Sequence, residues 1–493
     1  MAEKDEKEEK SETKKPQIEF KDESVQTEHT IVLNGEEVSY TATTGIIILH
    51  EEDRKKGSEP KGKLFYIAYT LNGVEEATGR PLTFSFNGGP GSASLWLHLG
   101  LLGPRRVPIN DDNSQAIRPP YSVVDNEFSL LSHTDLVFID PIGTGYSRAV
   151  EGEEDDRYWN YSKDIESVGE FIRLYTTRNK RWSSPKFLIG ESYGTTRAAG
   201  VAGYLQDSHG FFLNGLMMVS VILNFQTARF EPGNDLPYPL FLPTYAVTAW
   251  YHHKLSKPFL DMSLPDFVAE VTSFAETDYT LALMQGSKLP ASERSYVAQK
   301  LAGYTGLSVE YVERTNLRIN IFRFTKELMR DEGKTVGRLD SRLTGYDRDE
   351  AGETFEYDPG MPGMTGVYAS CFNQYVREEL GFETDLPYEI ISYKVFPNWK
   401  YDKSMNKYVN TAEILRQAMT KNPHLKLFVA NGYYDLATPF FATDYTLTHL
   451  SLKSHLEENI TTHYYEAGHM MYIHPPSLAK LRNDLVAFLR VSA

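Results

Sequence analysis

Five residues, Gly190-Glu191-Ser192-Tyr193-Gly194, constrain the fold of this chain more than any other feature of it. Their G-x-S-x-G spacing is that of a sharp strand-to-helix turn, in which two glycines let backbones pass closely while a serine hydroxyl is lifted above a sheet. The pentapeptide alone is weak evidence, because glycine and serine are common and the pattern recurs by chance. Its flanks decide. KFLIG (186–190) before it is an apolar run of strand length, and TTRAAGVAGYLQDS (195–208) after it has helix length. Ser192 is therefore a candidate nucleophile, with an ordinary glycine-rich turn as the alternative.

The rest of the chain supplies the sheet that such a turn needs. IIILH (46–50), KLFYIAYT (63–70), PLTFSF (81–86), DLVFID (135–140), KFLIG and GLMMVSVIL (215–223) read as strands bounded by Gly, Pro and Asp. The last three of these are nearly continuous apolar runs, as expected of strands buried on both faces of a parallel sheet. Helix-length stretches such as YSKDIESVGEFIRLYTT (161–177) lie between them, which is the α/β alternation. Near Phe225 the texture turns rich in proline and aromatics, and helix-like segments follow at 263–276 and 291–304. The expected organisation is a disordered charged tail over 1–29, an α/β core over 30–225, a mainly helical insertion over 226–375, and the second part of the core over 376–493. The alternation resumes there with EILRQAMTK (413–421), LKLFVANGYYD (425–435), ITTHYYEAGH (460–469) and a last helix over 476–490.

Composition narrows the partners. A balance of 51 basic against 67 acidic side chains gives a net charge of −16, which repels nucleic acid and anionic membranes. No early apolar run approaches the roughly 20 residues that span a bilayer, so no membrane association is expected. The first fifteen residues are almost wholly charged and lack a secretory apolar stretch, which points to a cytoplasmic protein as the chain is given, or to a secreted or periplasmic one if a signal was removed. The single cysteine, Cys371, cannot form an intrachain disulfide and reads as a small core residue. The oligomeric state stays open, a homodimer included.

A serine hydroxyl needs a base, and the base needs an orienting carboxylate. When the serine sits on a strand-to-helix elbow, the partners follow in the order Ser, acid, His. Asp435 ends the strand-like LKLFVANGYYD, and His469 follows the last strand at a small Ala-Gly turn. Both fall at strand C-terminal ends, where open α/β sheets place their sites. His469 is preferred among 13 histidines on that position; adjacent His252 and His253 diverge around a helix and make a poor metal pair. NGGPGSAS (87–94), after the strand PLTFSF, exposes backbone N–H groups suited to an oxyanion hole.

Taken together, NGGPGSAS, DPIGTGYS (140–147), GESYGT (190–195), NGYYDLATP (431–439) and EAGHMMY (466–472) resemble, in order and spacing, the serine carboxypeptidase family, and in particular bacterial members without disulfides. The resemblance implies an α/β-hydrolase fold with a mostly parallel sheet flanked by helices, a helical cap over the cleft, and cleavage of C-terminal residues from a peptide substrate with no metal or organic cofactor. It implies Ser192, Asp435 and His469 as the triad, the N–H groups of Gly89 and Tyr193 as the oxyanion hole, and Asn87 with Glu191 as the grip on the substrate's C-terminal carboxylate. Three positions depart from the pattern: Ser85 stands for a tryptophan, Leu101 for a second glutamate, and Ser92 for a cysteine. Half of the carboxylate grip is thus missing, and Arg105 and Arg106 offer a cationic substitute. An esterase or acyltransferase on the same triad is the nearest rival reading, and a non-catalytic binding protein on the same shell is the more remote one.

Overall fold

The computed structural model describes residues 20–53, 57–74, 79–108, 118–401 and 407–493. Nine strands carry the central sheet: β1 (Glu23–Leu33), β2 (Glu36–Asp53), β3 (Gly57–Leu71), β4 (Leu82–Phe86), β5 (Asp135–Ile139), β6 (Lys186–Ser192), β7 (Gly215–Val221), β8 (Lys426–Gly432) and β9 (Ile460–Tyr465). They lie in the order β1-β2-β3-β5-β4-β6-β7-β8-β9, and the two-residue strand Arg148–Ala149 adds to β3. From β5 to β9 every neighbouring pair is parallel, whereas β1, β2 and β3 join antiparallel.

The apolar runs explain the parallel half. Strand side chains alternate between faces, so Leu188, Leu216, Met218, Leu427 and Val429 pack below one face with helices α1 (Tyr161–Arg178) and α2 (Tyr193–His209). Their neighbours Ile189, Met217, Val219, Phe428 and Ala430 pack below the other, against helix α7 (Pro475–Ser492). Each such fully buried side chain contributes roughly 1.5–3 kcal/mol, and with both faces covered there is no room for polar alternation.

The expected tail ends early. Residues 1–19 lie outside the described residues, but Glu23–Leu33 is a strand paired along its whole length with 36–46. Asn34 and Gly35 both have positive φ, 53° and 85°, as the two-residue hairpin turn requires. The first four residues of β1 are exposed, and from Thr27 to Leu33 more and less buried side chains alternate, ending in buried Ile31 and Leu33, as an edge strand with one face to water can.

The helical insertion leaves the sheet after β7 and returns at β8. Helices α3 (Pro237–Tyr251), α4 (Leu264–Phe274) and α5 (Ala291–Thr305) surround their own core of Phe241, Tyr245, Phe267, Leu301 and Phe324. Its expected boundary at 375 is corrected by helix α6 (Pro362–Glu378), which runs across that boundary. Val367, Tyr368, Phe372 and Tyr375 of α6 pack with Leu95, Leu97 and Leu101 in the core beneath the sheet, so α6 belongs to the core. Cys371 sits in the same helix, buried as expected, where burial pushes its thiol up to about 11.

Candidate active site

Three loops meet at the C-terminal edge of the sheet. Ser192 ends β6, Asp435 follows β8 and His469 follows β9, with β7 between β6 and β8. Ser192 has φ 60° and ψ −129°, a conformation that costs a non-glycine residue ~1–3 kcal/mol. The elbow holds it there. A side chain on Gly190 would collide with the Gly194 carbonyl, and one on Gly194 would meet the Phe86 carbonyl at 2.9 Å.

Asp435 is immobilised by four contacts. The N–H groups of Ala437 and Thr438 donate to Oδ1 at 2.8 and 3.0 Å. The Thr438 hydroxyl donates to Oδ2 at 2.7 Å, and His469 Nδ1–H donates to the same oxygen at 2.7 Å. With Nδ1 carrying its proton for Asp435, Nε2 is left as the basic nitrogen. Burial alone would depress the imidazole's pKa, but the Asp435 charge and hydrogen bond outweigh it and raise it above the usual value. Among the described residues no hydrogen bond joins His469 to Ser192, a link that often tightens only with substrate bound.

The backbone of His469 is pinned from two sides. Its N–H donates to the Leu339 carbonyl of the insertion at 2.6 Å, and its carbonyl accepts from Ser220 Oγ at 2.6 Å. Ser220 is buried at a bulge of β7 with φ 53°. The Leu436 N–H donates to the Arg338 carbonyl at 3.0 Å, so one insertion segment, 338–341, braces both the acid loop and the histidine loop. Thr438, Ser220 and this segment were not read from the sequence; a hydroxyl three residues after Asp435 was the one available signal.

The NGGPG loop lies directly on the elbow. A side chain on Gly88 would come within 2.5 Å of the Tyr193 nitrogen, so only glycine allows this approach. Buried Arg197 pairs with Asp164 at 2.9 Å, and its Nη1 donates to the Asn87 carbonyl at 2.5 Å, tying loop to helix. Among the described residues the N–H groups of Gly89 and Tyr193 make no turn, cap or side-chain hydrogen bond, so both are available to a ligand.

Asn87 and Glu191 come together beside Ser192. Asn87 Oδ1 accepts from Leu97 N–H at 3.0 Å, which turns Nδ2 toward Glu191, where it makes no hydrogen bond of good geometry. Glu191 is 4% exposed, and burial pushes its carboxyl up to about 7 against the lowering influence of His469, Tyr472 and Asn87. Its Oε2 also lacks a partner in hydrogen-bond geometry. The departures are buried too: Leu101 lies in the core, and the Ser85 hydroxyl is unpartnered. Arg105 and Arg106 do not supply the missing grip. Arg105 pairs with Asp125 and Glu379, and Arg106 with Glu127, so both serve surface ion pairs. Among the described residues no three His, Cys, Asp or Glu are grouped to hold a metal, and His252 is occupied with the Ser341 carbonyl at 2.7 Å.

A mostly parallel sheet with an elbow serine, a following acid and a last-strand histidine defines an α/β-hydrolase. Within that class the chain belongs to the serine carboxypeptidase family, whose family model matches residues 54–474. It is 35% identical over 158 residues to the pheromone-processing carboxypeptidase KEX1 of Saccharomyces cerevisiae, a match covering 30% of this chain and 20% of the yeast protein. It is 34% identical over 104 residues to the serine carboxypeptidase-like 36 of Arabidopsis thaliana, covering 20% of each. The crystal structure of KEX1ΔP, a prohormone-processing carboxypeptidase from S. cerevisiae, superposes with a TM-score of 0.59 at 19% identity and 91% coverage of both chains, which establishes the shared fold. Among the described residues no helix is long and apolar enough to cross a membrane.

Proposed function

We propose that this protein is a serine carboxypeptidase that releases C-terminal residues from peptides through an acyl-enzyme on Ser192. His469 Nε2 takes the Ser192 proton as Oγ attacks the scissile carbonyl, and Asp435 stabilises the imidazolium that forms. The N–H groups of Gly89 and Tyr193 receive the developing oxyanion. The imidazolium then returns its proton to the leaving amine, and water repeats the sequence to free the acyl group.

The observation that carries the exopeptidase part is the pair beside the nucleophile. A carboxyl group can bind a substrate carboxylate only if the two share a proton. Glu191, whose pKa burial raises to about 7, keeps that proton in mildly acidic solution, and Asn87 Nδ2, not held in any well-aligned hydrogen bond, adds a second donor. The one cysteine is buried and the fold needs no disulfide, which supports work in a reducing compartment.

Labelling with a fluorophosphonate tests the nucleophile: wild type should react at Ser192 and Ser192→Ala should not. A wild type that fails to react would leave a binding protein on the hydrolase shell. Leu101 in place of a second carboxyl favours the esterase or acyltransferase reading, which a preference for esters over free-acid peptides would establish instead.

A further inference from the structure

A third unpartnered polar atom lies beside the other two. Tyr472, three residues after His469, is 0% exposed, and its Oη makes no hydrogen bond of good geometry, as is true of Glu191 Oε2 and Asn87 Nδ2; the three groups are loosely placed polar neighbours of one another. The three groups are close enough to influence one another's protonation: Tyr472 and Asn87 both favour the ionised form of Glu191. Three buried polar atoms without satisfied geometry each cost free energy that a ligand can recover. Glu191 adjoins Ser192 in the chain and interacts with both Tyr472 and Asn87, so one ligand group inserted among them can satisfy all three.

The place of Tyr472 is set by the helical turn that carries Leu101. A side chain on Gly100 would come within 2.5 Å of the Tyr472 ring and 2.7 Å of the Tyr368 hydroxyl, so Tyr472 packs directly against the residue before Leu101. Leu101 itself is buried among apolar neighbours and contributes no polar atom. The space beside Glu191 therefore holds a phenol, a neutral donor that needs no shared proton to bind an anion.

We infer that Tyr472 is a substrate-binding residue, its hydroxyl donating to the peptide's terminal carboxylate together with Asn87 Nδ2 and the protonated Glu191. This rests on the carboxypeptidase reading above. It makes the pocket a set of one titrating and two permanent donors. Because the three atoms are shut off from solvent in the unliganded protein, Glu191 and Tyr472 must part to admit the carboxylate, entering from the partly exposed Ser192.

The test is steady-state kinetics on matched blocked dipeptides with free and amidated C-termini, for wild type, Tyr472→Phe, Glu191→Gln and the double variant. Tyr472→Phe should raise KM for the free acid by about 10-fold or more, the worth of one hydrogen bond to a charged group, with kcat nearly unchanged. KM for the amide should stay the same. The double variant should lose less than the product of the two single effects, since both residues act on one carboxylate. Unchanged fluorophosphonate reactivity of Tyr472→Phe at Ser192 shows that the site is intact. An acid preference in wild type that Tyr472→Phe leaves undiminished overturns this inference alone, as does an equal rise in KM for acid and amide. A wild type indifferent to the terminus overturns the carboxypeptidase reading and this inference with it.

Discussion

Binding of a peptide carboxylate should become weaker as pH rises, through a single group. Glu191 is buried against His469, Asp435, Tyr472, Asn87 and Tyr368, and burial raises its pKa to about 7. The substrate carboxylate is ionised throughout the neutral range, so the shared proton has to come from Glu191. If only the protonated form binds, KM grows as one plus the ratio of ionised to protonated Glu191, about 2-fold at pH 7 and about 11-fold at pH 8 relative to the acid limit. The slope of log KM against pH then approaches one, equivalent to about 1.4 kcal/mol per pH unit. His469 titrates nearby and affects turnover, so the assay compares KM for a free-acid peptide with KM for its amide, in which the histidine contribution is common to both. Glu191→Gln, which donates without titrating, should flatten the acid curve to that of the amide. Parallel acid and amide curves in wild type, or an acid curve unchanged by Glu191→Gln, would refute the shared-proton argument.

The same shift makes a stability prediction. Folding raises the Glu191 pKa from the usual carboxyl range to about 7, so the folded state binds the extra proton between those values and stability falls as pH rises through them. Glu191→Gln should therefore gain stability relative to wild type at pH 8 compared with pH 4, by at most about 3 kcal/mol, read from urea midpoints; an identical offset at both pH values would contradict the buried-proton picture. Thr438→Val removes one donor to Asp435 and should lower kcat by about 10-fold with KM little changed, whereas a pure KM effect would place Thr438 in substrate binding. Gly88→Ala should abolish turnover or folding through its collision with the Tyr193 nitrogen, checked by kinetics and melting temperature, and a fully active variant would mean that the loop has room to withdraw.

The parts of the site legible in the sequence are those whose residue type is dictated by chemistry or backbone geometry. The elbow needs glycine at 190 and 194 because carbonyls occupy the space of a side chain. Asp435 and His469 were found because parallel strands deliver their functional residues at one edge. The β1–β2 hairpin was missed although Asn34-Gly35 is its turn signal, because the charge of the preceding stretch was extended too far. The boundary of the insertion was misplaced at α6, whose apolar side chains look alike whether they face a cap or the core. The support from Leu339 and Arg338 could not be read, since both act through main-chain carbonyls that every residue possesses. Tyr472 was passed over because a lone tyrosine after His469 has no pattern; only its burial beside Glu191 and Asn87 without a well-aligned hydrogen bond reveals it.

The most direct test of the central claim is to incubate the protein with a peptide mixture and its C-terminally amidated counterpart and to follow the products by mass spectrometry. The account predicts successive loss of single residues from the free C-terminus, abolished in Ser192→Ala and strongly retarded by amidation. Internal cleavage, or equal trimming of both peptide sets, would contradict it.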